Sequence, residues 1–525
     1  MILDRLSRRT VLAGAGAAAA WPAFGQARRG GVLVVALDPE PIALASAGSI
    51  DAGASVVSPK LFDRLFNLDL AGRPIPRLAT SAQISHDGLS VAVNLRPGVK
   101  WHDGQPITSA DVAYSITEVW TRYNARSQMA FANLLRVDTP SPLVAVIRLK
   151  HPAPYIFNAL ADGGAQVVPR HIYADKDVLS NPNNRAPVGS GPFMFESWER
   201  GSAITLRRNP NYWDGPKPYL DKVIFRLIAG GQPMVSALET GEVQYVGQGQ
   251  GGVPLSEVAR IQANKNLWVY SHSPSLTANF AGFAFNVERP VFRDIRVRQA
   301  FAYAIDKAFL LKNVYLGHGA LADSPIPPNS PWHASGLPQY PFDPRRAEAL
   351  LDAAGFPRRA DGVRLTLFND IMPPSQLHNL SAEFIRSSLA KVGVRLTLRK
   401  EELGAYLHRI FIAHDFDTET YSTGADLDPA LGIQRFYWSK SIQPTPYTNP
   451  THYHTPETDR LLEAAQVELD LAKRRDLYAQ VQRILQRDLP LIPILFPDEL
   501  AFGSRRLLHP FNYRTDDLAD ASVVA

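Results

Sequence analysis

Leu89-Ser-Val-Ala-Val-Asn-Leu95, then Arg96-Pro-Gly-Val-Lys100, Trp101-His-Asp-Gly-Gln105 and Pro106-Ile-Thr-Ser-Ala-Asp-Val-Ala-Tyr114, is the most informative run of the chain. Leu89, Val91, Val93 and Leu95 alternate with Ser90, Ala92 and Asn94, the period of a strand with one buried face. Pro97-Gly98 ends that strand, and Asp103-Gly104 makes a second tight turn, because glycine tolerates positive φ. Thr108 and Asp111 have the spacing of a capping box and predict a helix start. Val112, Ile116, Val119, Trp120 and Tyr123 follow at helical spacing and give that helix one apolar face. Trp101 is expected between strand and helix. His102 and Asp103 are neighbours on a turn, which seldom converge on one substrate atom, so no acid–base pair is assigned to them.

The chain has 525 residues, more than one core accommodates, so at least two domains are expected. A net charge of +5, from 55 basic and 50 acidic residues, is too weak and dispersed for a nucleic-acid footprint. Cysteine is absent. Disulfides, thiolate metal sites, thiol nucleophiles and a lipid anchor on an N-terminal cysteine are thereby excluded.

Ser7-Arg8-Arg9-Thr10-Val11-Leu12 precedes an apolar run through Ala20 and a small-residue site near Gly25-Gln26-Ala27. A basic start, a short apolar stretch and small residues describe an export signal over 1–27, and the paired arginines point to the twin-arginine route. The apolar run is too short to span a bilayer. A soluble, periplasmic protein without a lipid anchor is the expectation.

Further blocks follow in order. Gly30-Gly31-Val-Leu-Val-Val-Ala36-Leu37 is a buried-type strand ending near Glu40, and Pro76-Arg77-Leu78-Ala79 precedes the run quoted above. Pro187-Val-Gly-Ser-Gly191-Pro-Phe-Met-Phe195 opens a hairpin turning at Arg200-Gly201, and Asn209-Pro-Asn-Tyr-Trp213 closes the block. Asp294 caps a helix carrying Val297, Ala300, Phe301, Ala304 and Ile305, with Arg296 and Arg298 off its apolar stripe. Asp343 at N-cap, Pro344 at the first helical position and Gly355 beyond the end delimit another helix. A strand over 363–368, a helix over 377–391 and a strand over 394–398 make a β-helix-β unit, and helices from Thr455-Pro456 and over 471–488 complete an α/β lobe. Gly247-Gln-Gly-Gln-Gly251-Gly252 lacks the Lys-Ser/Thr of a phosphate loop and is read as a loop at a domain boundary.

Together these blocks resemble the peptide/nickel-type (family 5) extracellular solute-binding proteins that serve ABC importers. The resemblance covers nearly the whole mature chain. It implies an α/β, two-lobed periplasmic binding protein fold (type II, cluster C-like) with an extra domain inserted in the first lobe. The expected division is 28–55 and 189–270 in lobe 1, 56–188 in the inserted domain, 271–484 in lobe 2, and 485–525 returning to lobe 1. It also implies a monomer without cofactor, whose partners are a small-molecule or peptide-like ligand and the permease subunits of the inner membrane.

In peptide-binding members of that family, the loop after the strand at Asp415-Phe-Asp417, here read as Thr418 to Pro429, carries an Asp that pairs with the peptide ammonium. At that place this chain has Ala425, with Asp426 beside it. On an extended loop, neighbouring side chains point to opposite sides, so Asp426 is a substitute only if the backbone shifts. A standard oligopeptide ligand is therefore questioned. Glu40, Tyr421, Ser422, Thr423, Asp426, Arg435 and Trp438 are the candidate ligand-binding residues: hydroxyl donors, a carboxylate at each lobe, a forked cation and an aromatic face. His452-Tyr-His454 offers two imidazoles without a third ligand, and no metal site is assigned. A secreted hydrolase with paired cleft carboxylates and an exported cofactor protein are the alternatives.

Overall fold

The computed structural model describes residues 29–48, 51–69, 72–162, 164–247, 252–272, 279–424, 426–510 and 517–524. The export signal over 1–27, most of the glycine-rich loop at 247–252, and Ala425 lie outside the described residues.

Three sheets organise the chain. The first has seven strands, in the order 267–272, 499–504, 245–246, 32–37, 222–227, 203–208, 193–199. Val32–Leu37 runs parallel to Lys222–Leu227, and both bury alternating apolar side chains such as Leu33, Val35, Val223 and Phe225. The second has six strands, in the order 319–321, 491–497, 279–285, 418–424, 365–371, 394–400. Its parallel pair Leu365–Ile371 and Val394–Lys400 is joined by the helix Gln376–Lys391, the β-helix-β unit read from the sequence. The third sheet, antiparallel, contains Ala79–Ile84, Ser90–Leu95, Val144–Leu149 and Leu134–Ser141.

The capping box forms as expected: Asp111 Oδ2 accepts from Thr108 N at 2.8 Å. The helix it starts changes over Ser115–Trp120 to the wider π-helical winding. Val112, Ile116, Val119 and Trp120 lie on the buried face, but the looser turn shifts the register and Tyr123 emerges 40% exposed. One continuous apolar core joins Leu33 and Phe225 of the first sheet to Val91, Trp101, Trp120 and Ile147 of the inserted segment. A second core packs Phe283 and Leu396 of the six-stranded sheet on Phe301, Leu351 and Ile385 of its helices.

The motifs that carry the family resemblance lock backbone segments together. Gly189 must lack a side chain, since a Cβ there would meet the Leu61 carbonyl at 1.9 Å. Its N–H donates to His102 Nδ1 at 3.0 Å, so the proton sits on Nε2, which donates to the Gly191 carbonyl at 3.1 Å. Burial lowers His102 to a pKa of about 4 and keeps it neutral. Asp103 is turned away, towards His171 Nε2 at 2.7 Å. Arg77 meets Asp63 at 3.4 Å and Asp517 at 3.0 Å, while Tyr212 and Trp213 both donate to the Asp63 carboxylate. Arg298 is buried and donates to the Asp488 carbonyl at 2.7 Å, whereas Arg296 pairs with Asp294 at the surface.

One boundary is corrected by strand pairing. The apolar run Leu491–Pro497 was expected in the return to lobe 1 beginning at 485. It pairs instead with Asn279–Phe285 and Gly319–Leu321 in the six-stranded sheet. The chain crosses afterwards, when Glu499–Ser504 joins the seven-stranded sheet between 245–246 and 267–272. A run that is apolar on both faces fits the interior of either sheet, so composition did not fix the partner.

Candidate functional site

A cavity of about 1180 Å³ lies between segments of the two lobes. One wall comes from Asp51–Ser58 and the inserted segment, through Arg126, Tyr155 and Asp162; the facing wall comes from Ser422–Gly424, Arg435 and Trp438. The facing wall is built by two local features. Thr418–Gly424 is a strand whose end at Gly424 pairs with Asn279, placing Ser422 and Thr423 at the cavity edge. After it, Asp428 accepts from Ala430 N at 3.0 Å and is held in a two-pronged, buried pair with Arg474 at 2.6 and 2.7 Å. That pair fixes the turn from which Gln434–Tyr437 presents Arg435.

Arg435 is the unusual group. Its side chain is buried, yet among the described residues no carboxylate lies within ion-pair distance and its Nε has no hydrogen-bond partner. Burial, and secondarily the like charge of Arg126, lower its pKa to about 10. It remains a cation at neutral pH, desolvated and without a directly paired carboxylate, and the more distant Asp426 and Asp162 charges offset that burial only in part. Arg126 approaches from the inserted segment and lies 3.7 Å from Asp162 and 4.0 Å from Asp426. The Asp426 and Asp162 charges raise its pKa.

Four of the seven predicted residues, Ser422, Thr423, Arg435 and Trp438, line the cavity. Ser422 is oriented by His378: Nδ1–H donates to the Met372 carbonyl at 2.8 Å, so Nε2 accepts from the Ser422 hydroxyl at 3.1 Å. The Ser422 lone pairs are thereby left as acceptors. Trp438 donates its indole N–H to Glu463 at 3.1 Å, which fixes its ring. Asp426 adopts φ = +54°, leaving the extended conformation, and its carboxylate faces Arg126. Asp426 is not among the residues that line the cavity.

Two expectations are corrected. Glu40 does not line the cavity; it accepts from Trp198 Nε1 at 2.9 Å and from the Gly201 N–H, tying the hairpin turn to the end of the first strand. Tyr421 points to the other face of its strand and packs with Phe280, Leu491 and Phe496, its hydroxyl buried without a partner. Arg126, Tyr155 and Asp162 were not anticipated, because only the folded inserted segment brings them opposite Arg435. Asn124, whose Oδ1 caps the short helix bearing Arg126, was the one local signal available.

The model of the bacterial extracellular solute-binding proteins, family 5, matches residues 73–445. The chain belongs to that family. It is the substrate-binding component of an ABC importer and not an enzyme, which removes the hydrolase reading. The glutathione-binding protein GsiB of Salmonella typhimurium is 27% identical over 472 residues, 87% of each chain. Campylobacter jejuni NikZ, solved with Ni(L-His), superimposes with a TM-score of 0.81 at 24% identity, covering 92% of this chain and 96% of that one. Helicobacter pylori DppA, solved with the peptide STSA, gives 0.81 at 24% identity, over 94% and 98%. These likenesses bear out the two-lobed α/β architecture. Family 5 proteins act outside the cytoplasm with a peptide or small-molecule ligand and a permease. Among the described residues no helix is long and apolar enough to cross a membrane.

Proposed function

We propose that this family 5 protein captures a carboxylate-bearing, peptide-like solute, with Arg435 as the counter-charge of the carboxylate. The observation that carries this reading is the buried Arg435, which has no directly paired carboxylate among the described residues and an unpartnered Nε. A carboxylate received there makes charge-assisted hydrogen bonds to the guanidinium fork and relieves its desolvation. Arg126, on the opposite wall, adds a second cation, so one anion attracts both lobes and favours closure by its differential affinity. Asp426 and Asp162 supply acceptors for an ammonium group beside Arg126, the role that Ala425 vacates. Ser422, Thr423 and Trp438 contribute polar edges and one apolar face. The relatives support the class: glutathione, L-histidine and the peptide STSA each carry carboxylate and amine groups. The remaining proposals are export to the periplasm by the twin-arginine signal, absence of a lipid anchor, and action as a monomer.

The test is calorimetric. Glutathione and a set of di- to tetrapeptides are titrated alongside the same peptides with amidated C-termini. Binding of at least one free acid, with its amide weaker by tenfold or more, is expected. Equal affinity for acid and amide throughout the set refutes the carboxylate assignment.

A further inference from the structure

Glu288, His414 and His452 come from three separate segments: the turn after Asn279–Phe285, the turn before Thr418–Gly424, and the loop before the helix Pro456–Val467. The Glu288 carboxylate lies 3.0 Å from His452 Nδ1 and 3.3 Å from His414 Nε2, and the three ligand atoms fall within 4.8 Å of one another. Tetrahedral ligands at ~2.0–2.1 Å from a zinc-type cation are separated by about 3.3 Å. Two of the three edges are already near that length.

The backbone holds these groups at some expense. Both histidines are in the left-handed region, His414 at φ = +52° and His452 at φ = +55°. Such conformations persist only where the surroundings enforce them. Asn286 does part of that enforcing: its amide donates to the His414 and Phe416 carbonyls, and its Oδ1 accepts from the Glu288 N–H at 3.1 Å. The neighbouring cation Arg289 is paired with Asp415 and Asp417, which offsets its charge in part. Glu288 is exposed at the surface, which gives an ion a path of entry.

We propose that Glu288, His414 and His452 form a site for one divalent transition-metal cation of the zinc type. Two neutral imidazoles and one carboxylate are a ligand set suited to such an ion, with water completing the tetrahedron. Two adjustments accompany binding. The rings now stack, with centroids 3.4 Å apart and planes 8° from parallel, so their lone pairs do not converge. His452, the more exposed of the two, turns out of the stack to bring Nδ1 onto the ion, and the proton that Nδ1 now donates to the Glu288 carboxylate moves to Nε2. His414 Nε2 now donates to Asn286 Oδ1 at 3.1 Å; the ion displaces that proton to Nδ1, which has no partner at present.

The site is separate from the solute cavity. Asn279 borders the cavity at one end of its strand, Glu288 follows the other end, and a seven-residue strand spans about 20 Å. A bound ion cross-links three segments at the far end of the second lobe.

Untagged protein, stripped with chelator, is titrated with Zn²⁺ alone by calorimetry and by metal analysis after gel filtration. One ion per chain is expected, with at least tenfold weaker affinity in both H452Q and E288Q. Both residues are on solvent-facing loops, and metal-free variants are expected to melt at the wild-type temperature. Co²⁺ in place of Zn²⁺ should give tetrahedral visible bands that H452Q abolishes. Absence of a stoichiometric ion in the wild type overturns the proposal. So does an ion held with unchanged affinity in both variants. Neither result touches the solute assignment, which rests on the other end of the lobe.

Discussion

Replacing Arg435 by Met should make the solute-free protein more stable while removing solute binding. Arg435 is 8% exposed and has no directly paired carboxylate among the described residues. Its pKa is lowered from the ordinary guanidinium value to about 10, and because it stays protonated at pH 7 the whole of that shift is felt there. At 1.36 kcal/mol per unit, the penalty is about 3 kcal/mol. Methionine keeps much of the side-chain volume and needs no counter-ion. After allowance for lost packing on Phe436, whose ring the guanidinium covers at 4.5 Å, a gain of about 1–2 kcal/mol is expected. Removing one partner of a buried charge pair costs about 2–5 kcal/mol in binding, or roughly 30-fold to several thousand-fold. Urea unfolding followed by tryptophan fluorescence measures the first effect, and calorimetry with the strongest free-acid ligand measures the second. Lysine at this position should restore little, since it lacks the planar fork. A variant that is less stable without solute, and binds as wild type does, would show Arg435 to be a structural residue and refute the reasoning.

Three further outcomes follow from the same structure. Arg474→Met strands Asp428 as a buried, unpaired carboxylate, with an expected loss of about 3–5 kcal/mol by urea unfolding; adding Asp428→Asn should recover much of it, and a loss below 1 kcal/mol contradicts the assignment. His102 titrates near 4 when folded and near 6.5 when unfolded, so the unfolded chain binds more protons between those values and stability declines as pH falls from 6.5 to 4, by about 3 kcal/mol in total. His102→Gln should flatten that part of the pH–stability curve relative to wild type, and an equally steep curve argues against it. Tyr421→Phe and Glu40→Gln should leave solute affinity within twofold by calorimetry, because neither side chain reaches the cavity; Tyr421→Phe should also be neutral or slightly stabilising, as it removes an unpartnered buried hydroxyl.

The fold was legible because its signals are local. Asp343, Pro344 and Gly355 occupy the cap positions expected of them around Pro344–Ala353, and Thr108 with Asp111 starts its helix where the spacing places it. The site was only partly legible, for a physical reason that Tyr421 and Ser422 make plain. Adjacent in sequence and both hydroxyl-bearing, they point to opposite faces of one strand. Ser422 meets the cavity and Tyr421 the apolar layer beneath it. Nothing local says which face the second lobe turns towards the first; that is fixed by how Thr418–Gly424 pairs with Asn279–Phe285 and by what packs behind it. Arg126 shows the same dependence at longer range, since its partner Asp426 is three hundred residues away and turns towards it only through a backbone at φ = +54°. Motif residues such as Gly189, His102 and Trp213 identify the scaffold because they hold it together, and for that reason they say nothing about the solute. The solute is written in groups left unsatisfied when the scaffold is complete. On the proposed reading Arg435 is the clearest of these, a cation that folding buries without a directly paired carboxylate among the described residues and with its Nε unpartnered.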